Sequence, residues 1–146
     1  EMFYRISHPK VKREHFVALD RALRAAQVYG DVLAVNLDEL SYPDLVAEVA
    51  DLMLAYERAR FVLCGGRYQD RVYVSLRTDP GYARAGTLMR QTIGTLGAAG
   101  GHGTMAGGSL HRSVRAAEEL GAVFDELVSR LHTALGRPRP PASSLI

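Results

Sequence analysis

"RFVLCGGRYQDRVYVSLRTD", residues 60–79, holds two runs rich in β-branched and aromatic residues on either side of a short polar turn. This pattern predicts an antiparallel hairpin with strands over 60–68 and 70–78. Because side chains alternate across a strand, the apolar row ending at Leu76 should face one side of the sheet and Arg77 the other. The stretch therefore predicts a β-sheet that carries an arginine opposite its apolar row.

The flanking segments add strands and helices around this hairpin. Short apolar runs at 31–37 and 104–111 predict two further strands. Apolar residues at helical spacing and polar capping residues predict helices over 7–30 (capped by Ser7, with Pro9 in its first turn), 41–59 (capped by Ser41), 83–99 and 113–135 (capped by Ser113). This order of elements predicts an α/β fold, a mixed β-sheet of about four to five strands packed with helices and preceded by a connector helix.

Composition narrows the class of protein. The 146 residues include one cysteine, so no internal disulfide is expected, and no apolar run has the length of a membrane span. Cys64 lies in an apolar strand and is interpreted as a buried small hydrophobe rather than a nucleophile. A chain of this kind is expected in the reducing cytoplasm.

Charge is distributed unevenly along the chain. Residues 31–60 carry seven acidic and two basic side chains, whereas residues 61–115 carry seven arginines against two aspartates. Arginine binds phosphate through a planar, bidentate fork. The local excess of five positive charges therefore favours an anionic partner.

A glycine-rich stretch in this basic half, "AAGGHGTMAGGSL" at 98–110, surrounds His102. It is not a dinucleotide fingerprint, because that motif follows a strand and begins a helix, and it lacks the lysine of a P-loop. His102 and His111 have no neighbouring carboxylates that would complete a metal site. Two readings stay open: a tight turn with an incidental histidine, or a backbone that closes on an anion with a histidine directed at it.

The segment "GGHGTMAGG" (100–108) resembles the Gly-Gly-His motif of the DHH-associated domain, the substrate-binding domain of DHH phosphoesterases. Two neighbouring segments agree with it. "VYVSLRT" (72–78) is similar to the family's Ser-Leu-Arg-Ser strand, with Thr78 for the last serine, and "AGTLMRQTIGTLGAAGGHG" (85–103) is similar to the helix that leads into the motif. The superfamily includes RecJ-type exonucleases and nano-ribonuclease/pAp phosphatases.

The resemblance implies a division of the chain and a binding site. It implies a connector helix from a missing upstream domain over 1–30, the DHH-associated domain over 31–135 and a flexible tail over 136–146. The implied substrate-binding residues are Arg77, as a phosphate clamp, and the loop residues Gly100, Gly101, His102 and Gly103. Arg84 and Arg90 have no fixed place in the motif.

One large departure from the family limits what this chain can do. No Asp-His-His motif occurs in it, so the resemblance implies no catalytic residue and no metal ligand here, and places Mn²⁺ or another divalent metal in the upstream catalytic domain. The expected partners are that domain and a single-stranded oligonucleotide or nucleotide, with no membrane; a homodimer stays open. The implied activity is that of an exonuclease, oligoribonuclease or pAp phosphatase. The alternative is a stand-alone nucleic-acid-binding or regulatory module, such as the related domain of alanyl-tRNA synthetases.

Overall fold

The computed structural model describes residues 10–146, which form a seven-stranded mixed sheet with helices on both faces. In chain order the elements are α1 (Arg13–Ala25), β1 (Gln27–Tyr29), β2 (Val32–Glu39), α2 (Leu45–Met53), β3 (Phe61–Tyr68), β4 (Arg71–Thr78), α3 (Ala85–Ile93), a 3₁₀ turn (Gly94–Leu96), β5 (Gly97–His102), β6 (Met105–Ser113), α4 (Ala117–Leu135) and β7 (Ser143–Ser144). The strand order is β5-β6-β4-β3-β2-β1-β7, with β2 and β3 parallel and the other neighbours antiparallel. The predicted α/β class is confirmed, with more strands than the four to five expected.

The predicted hairpin is confirmed. Strands β3 and β4 pair antiparallel over their full length, from Phe61 opposite Thr78 to Tyr68 opposite Arg71. The two turn residues at 69 and 70 both have positive φ, at 50° and 66°. A two-residue turn of this kind matches the right-handed twist of the strands it joins.

The sheet separates two apolar cores. On one face, Val72, Val74 and Leu76 of β4 pack in the same cluster as the buried residues of α3 and α4. On the other face, the buried side chains of α1 and α2 cover β2 and β3. Strand β2 contributes to both clusters, with Val32 and Ala34 on the first face and Leu33, Val35 and Leu37 on the second. The central strands are therefore buried on both sides, as their apolar runs predict.

Two expectations from composition can be compared with this fold. Cys64 is fully buried in the α1/α2 core, as predicted for a small hydrophobe. Within residues 10–146, none of the helices combines the length and the apolar character that crossing a bilayer requires.

The first predicted helix is shorter than expected. Helix α1 ends at Ala25, and residues 27–29 form strand β1, which pairs with β2. Gly30, predicted to stop the helix, instead has a φ of 64° in the turn between β1 and β2. The pairing available to Val28 and Tyr29 overrides the weak helical pattern there. Ser7 and Pro9, predicted to open this helix, lie outside the described residues.

The other predicted helices also lose residues at their ends. Helix α2 occupies only Leu45–Met53, and Asp44 rather than Ser41 holds its N-cap position, without a side-chain bond to the backbone. Helix α4 begins at Ala117, because Ser113 ends strand β6. Helix α3 ends at Ile93, and the remainder of the predicted 83–99 helix becomes a 3₁₀ turn and strand β5.

The segment predicted to be a flexible tail, 136–146, packs against the domain in this structure. Arg139 donates to Asp125 (2.5 Å) and to the Tyr29 hydroxyl (2.9 Å), with its guanidinium carbon 4.8 Å from the centre of the Tyr29 ring. Arg137 pairs with Asp31 at 2.7 Å. Strand β7 then pairs with β1 at the edge of the sheet. Arginine–aspartate pairs and an added strand thus attach a proline-rich segment that carries few apolar residues.

Candidate functional site

A pocket of about 330 Å³ lies where β4, β6 and β5 run side by side, on the face of the sheet that α2 covers. Its walls are formed by Ala47 of α2 and by Ser75, Arg77, Gly100, Gly101, His102, Met105, Ala106 and Gly107 of the three strands. Four of the five predicted site residues line this pocket, and Gly103 does not.

Arg77 and His102 lie in one row across three strands. Arg77 is opposite Met105 in the β4/β6 pair, and Met105 is opposite His102 in the β5/β6 pair. Directly opposed residues project to the same face of a sheet. Two strand spacings separate the Cα atoms of Arg77 and His102 by about 10 Å. An exposed Met105 stands between them, so the two basic side chains flank one opening although 25 residues separate them in sequence.

The next row of the pocket has almost no side chains. Ser75 is opposite Gly107, and Gly107 is opposite Gly100. A Cβ atom added at Gly100 would have no neighbour within 4 Å, and one at Gly107 would meet only the Val74 carbonyl oxygen at 3.6 Å. Neither glycine has a positive φ. The fold therefore does not require glycine at these two positions, and their effect is to leave the pocket floor open.

Gly101 of the motif and two glycines that precede the motif have a packing role. A Cβ atom at Gly101 would lie 2.5 Å from the Cα of Ala106, and one at Gly97 would lie 2.8 Å from the Cα of Leu110. At Gly86 of α3 it would lie 2.7 Å from the Gly101 carbonyl carbon. These glycines allow α3 to approach β5, and β5 to approach β6, more closely than any side chain permits.

The predicted Gly-Gly-His loop is not a loop in the structure. Residues 97–102 form strand β5, and the chain turns into β6 at Gly103 and Thr104. Gly103 has a φ of 61°, and its carbonyl oxygen accepts a 2.9 Å hydrogen bond from the Ala85 amide at the start of α3. Gly103 thus shapes the turn between β5 and β6 and attaches α3 to this turn. The correction follows from cross-strand pairing, which gives a glycine-rich segment a strand conformation that its own propensity opposes.

Arg77 is more enclosed than its sequence pattern indicates. Alternation places it opposite the apolar row, as predicted, but the whole residue is only 6% exposed. Its Nε donates to Asp51 Oδ1 at 2.6 Å, and its Nη1 donates to Ser75 Oγ at 2.9 Å and to the Leu76 carbonyl oxygen at 3.2 Å. A buried guanidinium needs such partners to offset the loss of its hydration.

The histidines differ in their surroundings. His102 is exposed at the end of β5. His15 lies 2.8 Å from Glu48, and His132 is buried in α4 with its Nδ1 2.8 Å from the Val128 carbonyl oxygen. Among residues 10–146, no group of three or more His, Cys, Asp or Glu side chains is placed to hold a metal ion.

A second, larger pocket, of about 440 Å³, is lined by Gln91, Arg130, Thr133 and Ala134. Arg130 donates from Nε to the Thr92 carbonyl oxygen at 2.6 Å and so caps the end of α3. None of the five predicted site residues lines this pocket, which makes it a weaker candidate than the β4/β6/β5 pocket.

Sequence reasoning did not identify several residues of the site. Two of them carried a signal that could have found them: Ser75 precedes Arg77 by two positions on the same strand, and Gly107 lies within the glycine-rich motif. Asp51 gave no signal, because it lies on a different predicted element, 26 residues from Arg77. Arg84 and Arg90 are not among the residues that line the pocket.

Comparison with known proteins gives structural matches only. No protein-family model matches the sequence, and no curated protein matches it. The fold is similar to that of an exopolyphosphatase-related protein from Bacteroides fragilis, with a TM-score of 0.65 and 14% identity over 92% of this chain and 40% of that chain. It is also similar to a pGpG-specific phosphodiesterase from Vibrio cholerae, with a TM-score of 0.51 and 16% identity over 84% of this chain and 40% of that chain.

A third match is to a separate domain. The C-Ala domain of alanyl-tRNA synthetase from Aquifex aeolicus aligns with a TM-score of 0.51 and 18% identity over 70% of this chain and 96% of that chain. The chain thus shares a fold with phosphoesterase-related proteins and with a synthetase domain. It spans 40% of the length of the two phosphoesterase-related structures.

Proposed function

We propose that this chain is the substrate-binding domain of a DHH-type phosphoesterase and that its β4/β6/β5 pocket holds a phosphate of a nucleotide or of a short single-stranded oligonucleotide. The observation that carries the proposal is the row Arg77–Met105–His102 beside a floor formed by Gly100 and Gly107. The row supplies two hydrogen-bond donors for an anion, and the bare floor supplies room for its oxygens to approach the backbone.

Each side chain of the row has a distinct task in this proposal. Arg77 contributes a fixed positive charge in a largely enclosed site, where a charge-assisted hydrogen bond to phosphate is strong. His102 donates a ring N–H from the opposite wall. The thioether of Met105, between them, offers an apolar surface to the sugar or base attached to the phosphate.

We further propose that hydrolysis requires a second domain. Phosphodiester cleavage by paired metals needs several carboxylate and imidazole ligands held in a fixed array. Residues 10–146 hold no such group, so they do not fit the Mn²⁺ that the resemblance implies. The two phosphoesterase-related structures are longer than this chain and match it over 40% of their length, which supports a separate catalytic domain as the place for the metal.

The test of binding is a calorimetric titration of the chain with adenosine 3′,5′-bisphosphate (pAp) and with a 5′-phosphorylated dinucleotide. Arg77→Ala should weaken binding by about 1–3 kcal/mol, the cost of losing a charge-assisted hydrogen bond. Arg71→Ala is the matched control, since Arg71 is exposed at the other end of β4 and does not line the pocket. Equal binding by wild type and Arg77→Ala would contradict the assignment of the site.

The test of activity uses the same chain with Mn²⁺ and both substrates. We expect no turnover. Hydrolysis that is lost in His102→Ala would make His102 a catalytic residue and overturn the division between two domains.

Binding of a tRNA in preference to both nucleotides would favour a non-enzymatic module instead. The match to 96% of the C-Ala domain is the observation that keeps this second function under test.

A further inference from the structure

An ion pair between Asp51 of α2 and Arg77 of β4 joins these two elements at the pocket. Asp51 Oδ1 accepts a 2.6 Å hydrogen bond from the Nε of Arg77. Asp51 lies one helical turn after Ala47, which lines the pocket, so both residues belong to the face of α2 that looks onto β4. The side chain of Arg77 is 8% exposed, whereas that of Asp51 is 60% exposed. The carboxylate therefore reaches the enclosed guanidinium from the solvent side.

These contacts hold two of the three nitrogens of the Arg77 guanidinium, which is a rigid planar group. Asp51 holds Nε, while Ser75 Oγ and the Leu76 carbonyl oxygen hold Nη1. Ser75 is itself within 3.5 Å of the Ala106 carbonyl oxygen, which restrains its hydroxyl. Because guanidinium is planar, anchoring two of its nitrogens sets the direction of the third, Nη2. Among residues 10–146, Nη2 has no hydrogen-bond partner, so it is the donor that remains for a ligand.

A carboxylate beside an anion site has an electrostatic cost. Asp51 offsets much of the charge of Arg77 and repels an approaching phosphate. If charge alone mattered, removing Asp51 would tighten the binding of an anion. If orientation matters more, removing it would loosen the guanidinium and weaken binding. The two effects have opposite signs, and this makes them separable by experiment.

We propose that Asp51 is a positioning residue, which holds the guanidinium of Arg77 so that Nη2 faces the pocket. This proposal rests on the proposed function, because it assumes that the pocket binds phosphate. The other hydrogen bonds of Arg77 support it, since both are made by Nη1, and a guanidinium held at one nitrogen can turn Nη2 away from the pocket. Asp51 acts through Arg77 and makes no contact with the ligand itself.

The experiment measures the Kd of pAp for wild type, Asp51→Ala, Asp51→Asn and the control Asp44→Ala. Asparagine keeps an oxygen that accepts from Nε but removes the negative charge. Asp44 carries the same charge at the opposite end of α2, beside a neighbouring pocket, and its side chain makes no capping hydrogen bond. We expect Asp51→Ala to raise Kd about tenfold, the scale of one hydrogen bond to a charged group. Asp51→Asn should stay within about threefold of wild type, and Asp44→Ala should equal wild type or bind slightly tighter.

The outcomes distinguish this proposal from the one on which it rests. Binding by Asp51→Ala that equals or exceeds that of wild type would overturn the positioning role and leave the phosphate site intact. Equal weakening by Asp51→Ala and Asp51→Asn would also overturn it, because the weakening would then not depend on an oxygen that accepts from Nε. Failure of the wild-type chain to bind pAp and the dinucleotide would contradict the proposed function itself.

Discussion

Two adjacent glycines of the motif should respond in opposite ways to the same substitution. At Gly101, an alanine methyl would stand 2.5 Å from the Cα of Ala106 and closer still to the Met105 carbonyl oxygen. Both obstacles are backbone, so β5 and β6 would have to separate. At Gly100 the methyl would have no neighbour within 4 Å. It would project over the pocket floor.

The magnitudes follow from these distances. Inserting a methyl group into packed structure costs about 1–3 kcal/mol, and immovable backbone places Gly101→Ala at about 3. In a chain of this size, each kcal/mol lowers Tm by about 2–4 °C, so the loss is about 6–12 °C. Gly100→Ala should keep the wild-type Tm or raise it slightly, because alanine restricts the unfolded chain and its native conformation carries no positive φ. It should nevertheless weaken pAp binding, since the methyl takes space from the ligand.

Thermal unfolding followed by circular dichroism measures the first effect, and calorimetric titration of the folded variants measures the second. A Tm loss under about 2 °C in Gly101→Ala would refute the packing argument. Wild-type affinity in Gly100→Ala would refute the role of the open floor.

Other predictions concern groups outside the pocket. Burial raises the pKa of the Cys64 thiol, so it stays protonated at pH 8; a thiol reagent should leave the folded protein unlabelled and react at once in denaturant, and rapid labelling of the native state would contradict this. The hydrogen bond from Arg139 lowers the pKa of Asp125 from its usual 3.8, so the stability it gives is present above that value and is lost as pH falls through the lowered pKa. The Tm gap between wild type and Asp125→Asn should therefore narrow as the pH falls below 3.8, and a gap that stays constant with falling pH would refute the ionic origin. Arg139→Ala should make residues 136–146 more sensitive to carboxypeptidase at pH 7, because Tyr29 and Asp125 then lose their partner; unchanged digestion would show that β7 and the Arg137–Asp31 pair hold the segment without Arg139.

The sequence predicts those elements of the fold whose conformation is specified by the residues within the element itself. The β3/β4 hairpin combines strong β-propensity, a side-chain alternation and a two-residue turn, and all three agree. Helix α4 carries an apolar stripe over 19 residues, so only its first turn was placed wrongly. Strand β2 was predicted correctly because a short, continuous apolar run is typical of a strand that is buried on both faces of a sheet.

Elements that depend on a distant partner were missed. Strands β1 and β7 have three and two residues, too few for any periodicity, and each exists because a neighbouring strand supplies its hydrogen bonds. Strand β5 is harder still, since three of its six residues are glycine and local propensity favours a loop. The attachment of residues 136–146 depends on Arg139 meeting Asp125 and Tyr29, a contact between residues as far apart as 110 positions.

The candidate site illustrates the same limit at the level of single residues. A motif and an alternation pattern were enough to select Arg77 and His102, but neither states which atoms of Arg77 are already engaged. Asp51 accepts a hydrogen bond from the Nε of Arg77. It lies on helix α2, and no local sequence pattern encodes the position of α2 against β4. The sequence thus selects two basic side chains, whereas the packing of α2 determines that the Nε of Arg77 is already bonded to Asp51.

Register is the feature that converts these scattered residues into one site. Met105 is the shared partner of Arg77 and His102, so the pairings of β6 with β4 and with β5 must both be exact for the row to form. A slip of one residue in the β5/β6 pair would turn His102 to the opposite face of the sheet. The close contact of Gly101 with Ala106 of β6 opposes a slip that would bring His102 to this position, because a Cβ atom there would lie 2.5 Å from the Ala106 Cα. Gly101 therefore helps to fix the register of β5 against β6, and this register places Gly100 opposite Gly107 at the pocket floor.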